Sequence, residues 1–118
     1  MADFEVVFGA LKGILEPYAE DLERKMDTPT HMYLQTKLRE GRKPVMFGAV
    51  QVKKNYVSYH LMPVYTAPEM LEPVSAELKA RMQGKSCFNF KQVDASLFDQ
   101  LAHLTKRAFE RYRQDGYV

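Results

Sequence analysis

The sequence predicts an α+β domain, an antiparallel sheet of about five strands with helices from both ends of the chain packed on one face. Three observations lead there. Apolar residues recur at helical spacing near both ends of the chain. Between those ends lie short β-branched and aromatic runs. The breaks between most of the runs are short, and short connections favour antiparallel neighbours because parallel strands need long crossovers. At 118 residues the chain is one domain's worth. Its 46% apolar composition supplies a core at that length without disulfides or metal.

The first helix follows from Phe4, Phe8, Leu11 and Leu15, a stripe widened by Val7 and Ile14. Asp3 is its expected N-cap, Glu5 suits the positive end of the helix dipole, and Pro17 stops it near Glu16. From Asp21 to Met62 the pattern becomes strand-like. Leu22 to Met26 is a weak strand, Thr28-Pro29-Thr30 breaks it, and His31 to Leu38 is the second. Glu40-Gly41-Arg42-Lys43-Pro44 forms a turn into Val45 to Val52. Lys53-Lys54-Asn55 then makes a hairpin with Tyr56 to Met62.

Beyond Met62 the helical signals return. Thr66-Ala-Pro-Glu69 has capping-box spacing and predicts a short helical turn that Pro73 ends. Ser75 caps a second short helix, Ala76 to Gln83, with Gly84 as its stop. Ser86 to Lys91 is too short and too aromatic for a helix and is the last strand. Asp94 caps the final helix, whose stripe runs Leu97, Leu101, Leu104, Ala108 and Tyr112, and Gly116 ends it. The expected order is α-β-β-β-β-α-α-β-α.

Composition narrows the function classes. A net charge of +2 is too weak to argue for nucleic acid, and the basic residues Arg39, Arg42, Lys43, Lys53 and Lys54 flank turns. Lys106, Arg107, Arg111 and Arg113 suit the negative end of the last helix. Cys87 is the only cysteine, so an intramolecular disulfide is impossible. The acidic start and the lack of a long apolar run predict a cytoplasmic chain with no membrane span. No phosphate-binding glycine loop, zinc-protease helix or serine-nucleophile elbow is present. Nor is there a visible nucleophile–base pair, so the reading is non-enzymatic, with no catalytic residue, no metal ligand set and no cofactor.

Strand alternation carries the functional expectation. Val57, Tyr59 and Leu61 share one face of their strand with Phe88 and Phe90 on theirs, which assigns that face to the core. The opposite face carries Tyr56, Ser58, His60, Cys87, Asn89 and Lys91, joined by Tyr33, with Gln35 beside it and Lys85 near Cys87. Tyrosines mixed with hydrogen-bonding side chains suit a small molecule, a protein partner or a homodimer. His31 and His60 fall on different strands of that sheet, and His103 on the polar side of the last helix.

Three stretches carry a family resemblance. They are Tyr56-Val-Ser-Tyr-His-Leu-Met-Pro-Val-Tyr65, Leu78-Lys-Ala-Arg-Met-Gln-Gly-Lys-Ser-Cys-Phe-Asn-Phe-Lys91 and Leu104-Thr-Lys-Arg-Ala-Phe-Glu-Arg-Tyr112. Together they resemble the bacterial YdhG-like family of small domains of unknown function, most closely over Tyr56 to Tyr117. The resemblance implies one YdhG-like domain over residues 1–118. A member from bacilli is described as a frataxin-like iron chaperone, so the resemblance also implies iron or metal handling as the alternative function. Such binding uses a concentrated acidic helical surface. Here Glu5, Glu16, Glu20, Asp21 and Glu23 alternate with Lys12, Arg24 and Lys25.

Overall fold

The computed structural model describes residues 4–38, 41 and 43–118. The expected cap Asp3, the basic residue Arg39, and Glu40 and Arg42 of the predicted turn lie outside the described residues. The fold is α+β. Six strands form one antiparallel sheet, β1 Glu23–Thr28, β2 His31–Gln35, β3 Met46–Val52, β4 Val57–Leu61, β5 Met82–Gln83 and β6 Cys87–Phe90. They lie in the order β1-β2-β3-β4-β6-β5. The helices are α1 Phe4–Leu15, α2 Met62–Thr66, α3 Ala76–Lys79 and α4 Ala95–Gln114.

Both long helices bury the stripes read from the sequence. In α1 these are Val7, Phe8, Leu11 and Leu15. Pro17 converts the chain after Leu15 into a 3-10 helix, Glu16–Asp21, since it cannot donate to a continuing α-helix. In α4 the stripe from Leu97 to Tyr112 is buried, and Asp94 caps the helix by accepting the Leu97 N–H at 3.1 Å. Gly116 follows at φ +81°, the left-handed conformation that an L side chain resists.

α1 and α4 pack on one side of the sheet. Phe47 meets Phe109 and Tyr112 edge-on, and Phe90 meets Phe98. Tyr59 is fully buried, and its hydroxyl pairs with the Thr105 hydroxyl of α4 at 2.5 Å. That bond satisfies two buried polar groups that would otherwise be costly. Gly48 marks the closest approach of α1: a Cβ there would stand 2.9 Å from a Leu15 methyl and 3.2 Å from the His60 carbonyl oxygen. The β2–β3 register passes from Leu34↔Gly48 to Gln35↔Met46, so Phe47 has no partner across the ladder. This bulge sends Phe47 into the core and leaves Met46 half-buried on the other side.

Three sequence expectations need correction. The sheet has six strands rather than five, because Ala76 to Gln83 is not one helix. Only Ala76–Lys79 is helical, with Ser75 as the expected cap at 3.2 Å from Leu78 N. Met82 and Gln83 instead pair with Phe88 and Cys87. Gly84, at φ +82°, serves the turn of that hairpin rather than a helix end. The Thr66–Glu69 capping box does not form either. Thr66 Oγ1 donates back to the Pro63 carbonyl at 3.1 Å, α2 ends at Thr66, and the next turn, Pro68–Leu71, starts without a side-chain cap. Pro63 sits in the first turn of α2, where a missing N–H costs nothing, so the helix starts four residues earlier than the box predicts.

The outer edge of the sheet is β1, whose six residues are all exposed. Its Arg24 and Asp27 join Glu16 and Lys12 in a linked set, with Arg24 to Glu16 at 2.7 Å and Lys12 to Asp27 at 2.9 Å. The carboxyls of Glu16 and Asp27 are held below the usual range, Glu16 by Arg24 and Asp27 by Lys12. No helix among the described residues is long and apolar enough to cross a membrane.

Candidate functional site

With the helices on one side, the other face of the sheet is open, and its residues are set by strand register. Two rows cross four strands. One runs Tyr33, Ala49, His60, Cys87 and the other His31, Gln51, Ser58, Asn89. Ala49 and Ser58 are small and sit at the centre, between larger side chains. They form the floor of a groove of about 550 Å³, also lined by Met46, Lys53, Tyr56 and Gln83. That volume falls within the range of small-molecule sites.

Several walls are fixed in place. The Tyr33 ring is met edge-on by His31, at 6.4 Å between centroids, and Lys25 Nζ lies 5.3 Å from its centre. The Lys53 N–H donates to the Tyr56 carbonyl at 2.8 Å, closing the β3–β4 hairpin and holding both residues at one end of the groove. His60 Nε2 and the Ser86 hydroxyl share a 2.7 Å hydrogen bond whose donor depends on the tautomer. The Leu61 N–H also donates to the Ser86 carbonyl at 2.9 Å. Ser86 is buried, so this pair clasps β4 to the turn before β6.

Asn89 is different. Its backbone N–H donates to the Arg81 carbonyl, and its side-chain Nδ2 donates to Gln83 Oε1, both at 2.8 Å. Among the described residues its Oδ1 is buried without a hydrogen-bond partner, a state that carries a desolvation penalty of about 1–3 kcal/mol. A second hollow, of about 360 Å³, adjoins the first and shares Tyr56, Gln83 and Asn89 with it, adding Arg81 and Lys91.

Of the residues expected from sequence, Tyr33, Tyr56, Ser58, His60, Cys87 and Asn89 line the main groove, and Lys91 lines its continuation. Lys85 does not join them: its Nζ lies 5.9 Å from the centre of the Tyr65 ring. Gln35 also stands apart, donating to Glu23 Oε1 at 3.3 Å. His31 and His60 both line the groove, but β3 runs between their strands. Sequence reasoning missed Met46, Ala49, Gln51, Lys53, Gln83 and Arg81. Alternation in β3 could have found Gln51, but the bulge at Phe47 hides Met46. Among the described residues, no three His, Cys, Asp or Glu side chains are grouped to hold a metal ion. Neither a family model nor a curated protein nor a solved structure matches this chain.

Burial holds both groove imidazoles below the ordinary histidine range, His60 by burial alone and His31 with added repulsion from Lys53. The unfolded chain therefore takes up these protons first, at about pH 6.5. Stability contributed by the neutral rings is full above that value and falls as pH drops from it toward the depressed folded values. In the doubly substituted His31→Gln, His60→Gln chain, the urea midpoint should vary less between pH 7.5 and 5.5 than in wild type. An equal or steeper slope would rule the two rings out as its source.

Proposed function

We propose that this domain is a non-catalytic binding module whose open sheet face takes a small, hydrogen-bonding molecule. The groove itself carries the reading: about 550 Å³ on the open face, lined by tyrosines together with His31, Gln51, Ser58 and Asn89, which offer hydrogen bonds. The tyrosines on either side offer flat apolar contact, and small Ala49 and Ser58 leave room between them. We assign the chain to the YdhG-like domains on the three sequence stretches, and to the cytoplasm on its composition. Iron handling ranks lower, because Glu16 and Asp27 are engaged by Arg24 and Lys12.

A thermal-shift screen of planar metabolite-sized compounds tests this, since a ligand of the native state raises the melting temperature by mass action. At least one compound should shift wild type saturably. Asn89→Ala and Ala49→Leu, the second of which fills the groove floor, should each abolish that shift while their own stability stays within about 1 kcal/mol of wild type. A screen with no shift, or a shift that survives both substitutions, defeats the proposal. So does a change in sedimentation for Tyr56→Ala without any ligand effect, which would make the face a dimer contact.

A further inference from the structure

Taking the groove as a ligand site, the charges around it restrict what it can hold. Among the described residues, no Asp or Glu lines the main groove or its continuation. Lys53 stands in the first, Arg81 and Lys91 in the second, with Tyr56 and Asn89 on the shared border. Among the described residues, none of the three cations is in an ion pair. Asp94 shares a separate hollow with Arg81 and Lys91, and it accepts the Leu97 N–H as a helix cap. A cleft with cations of one sign on its rim concentrates counter-charge. Its floor and walls meanwhile offer tyrosine rings and the hydrogen-bonding side chains of Gln51, Ser58 and Asn89.

We propose that the site selects an organic anion: a planar ring that packs against the tyrosines and carries an acidic group toward Arg81 and Lys91 or Lys53. The inference rests on the groove reading and adds the sign of charge. The size favours a single molecule over a polymer, because the two hollows together span only a few residues of five neighbouring strands.

Guanosine 5′-monophosphate is a suitable probe, with guanosine as its neutral counterpart, inorganic phosphate as the anion alone and a ten-nucleotide single strand as the polymer. Calorimetry on the whole chain at low salt should give saturable binding of the monophosphate. Guanosine should bind at least tenfold more weakly, and inorganic phosphate more weakly still. Arg81→Ala and Lys53→Ala, both at exposed positions, should weaken the monophosphate by fivefold or more and cost guanosine markedly less. Guanosine binding as tightly as its monophosphate overturns the charge inference and leaves the groove reading standing. Tighter binding of the single strand overturns the small-molecule form of it. If neither the monophosphate nor guanosine binds, the inference falls, and the compound screen then decides separately whether the groove binds anything.

Discussion

Phe88→Ala is expected to lower stability by about 3–5 kcal/mol, the usual cost of emptying a buried aromatic site. Phe88 is fully buried on β6, in register with Tyr59 of β4 and Met82 of β5. Truncation removes the apolar contact and leaves a cavity at the point where three strands and the helical layer meet. Domains of this size are stable by about 5–15 kcal/mol in total, so the variant should sit near the edge of folding at physiological temperature. Leu101→Ala, from the helix side of the same core, should cost about 2–5 kcal/mol. Urea denaturation of both variants measures the effect. A melting temperature within about a degree of wild type for either would contradict the assignment of faces.

Gly48→Val is expected to be the most damaging insertion, at about 1–3 kcal/mol or more. The added Cβ would meet a Leu15 methyl at 2.9 Å and the His60 carbonyl oxygen at 3.2 Å. The first can move only by repacking a fully buried residue, and the second belongs to the sheet backbone. The contact is pairwise, so it can be tested as a cycle. Gly48→Ala and Leu15→Val should together cost less than the sum of their separate effects, because the shorter side chain relieves part of the clash. Strict additivity would mean that strain at the His60 carbonyl, rather than at Leu15, sets the cost.

The parts of the fold that were legible in sequence are those with strong periodicity. Leu97 to Tyr112 repeats at helical spacing over about four turns, and Val57 to Leu61 alternates cleanly, so helix face and sheet face followed directly. The same alternation in β4 and β6 named Tyr56, Ser58, His60, Cys87 and Asn89 of the groove wall. What stayed hidden depended on long-range pairing. Met82 and Gln83 carry no strand signal of their own and become a strand only because Phe88 and Cys87 are available to pair with them. β3 is apolar on both faces around the bulge at Phe47, so its sequence does not say that Ala49 points into the groove. Lys53 and Arg81 reach the site from a turn and a strand end, where no periodicity places a side chain. Lys85 shows the opposite error: proximity to Cys87 in sequence suggested a shared face, but the turn through Gly84 carries it toward Tyr65.

The charged margin of the sheet bears on how copies of this chain meet one another. Open strand edges are the natural templates for runaway growth into fibres, and among the described residues no strand pairs with the outer edge of β1. A second chain adding to it would have to lay its own backbone beside Glu23, Arg24, Lys25 and Asp27, across a register shift between Arg24 and Met26 that interrupts regular pairing. The far margin offers just the two residues of β5. Both routes to an endless sheet are thus blunted by different means, charge and irregularity on one side and brevity on the other. The molecule can leave one broad face open for recognition without also exposing an edge on which its own copies would polymerise.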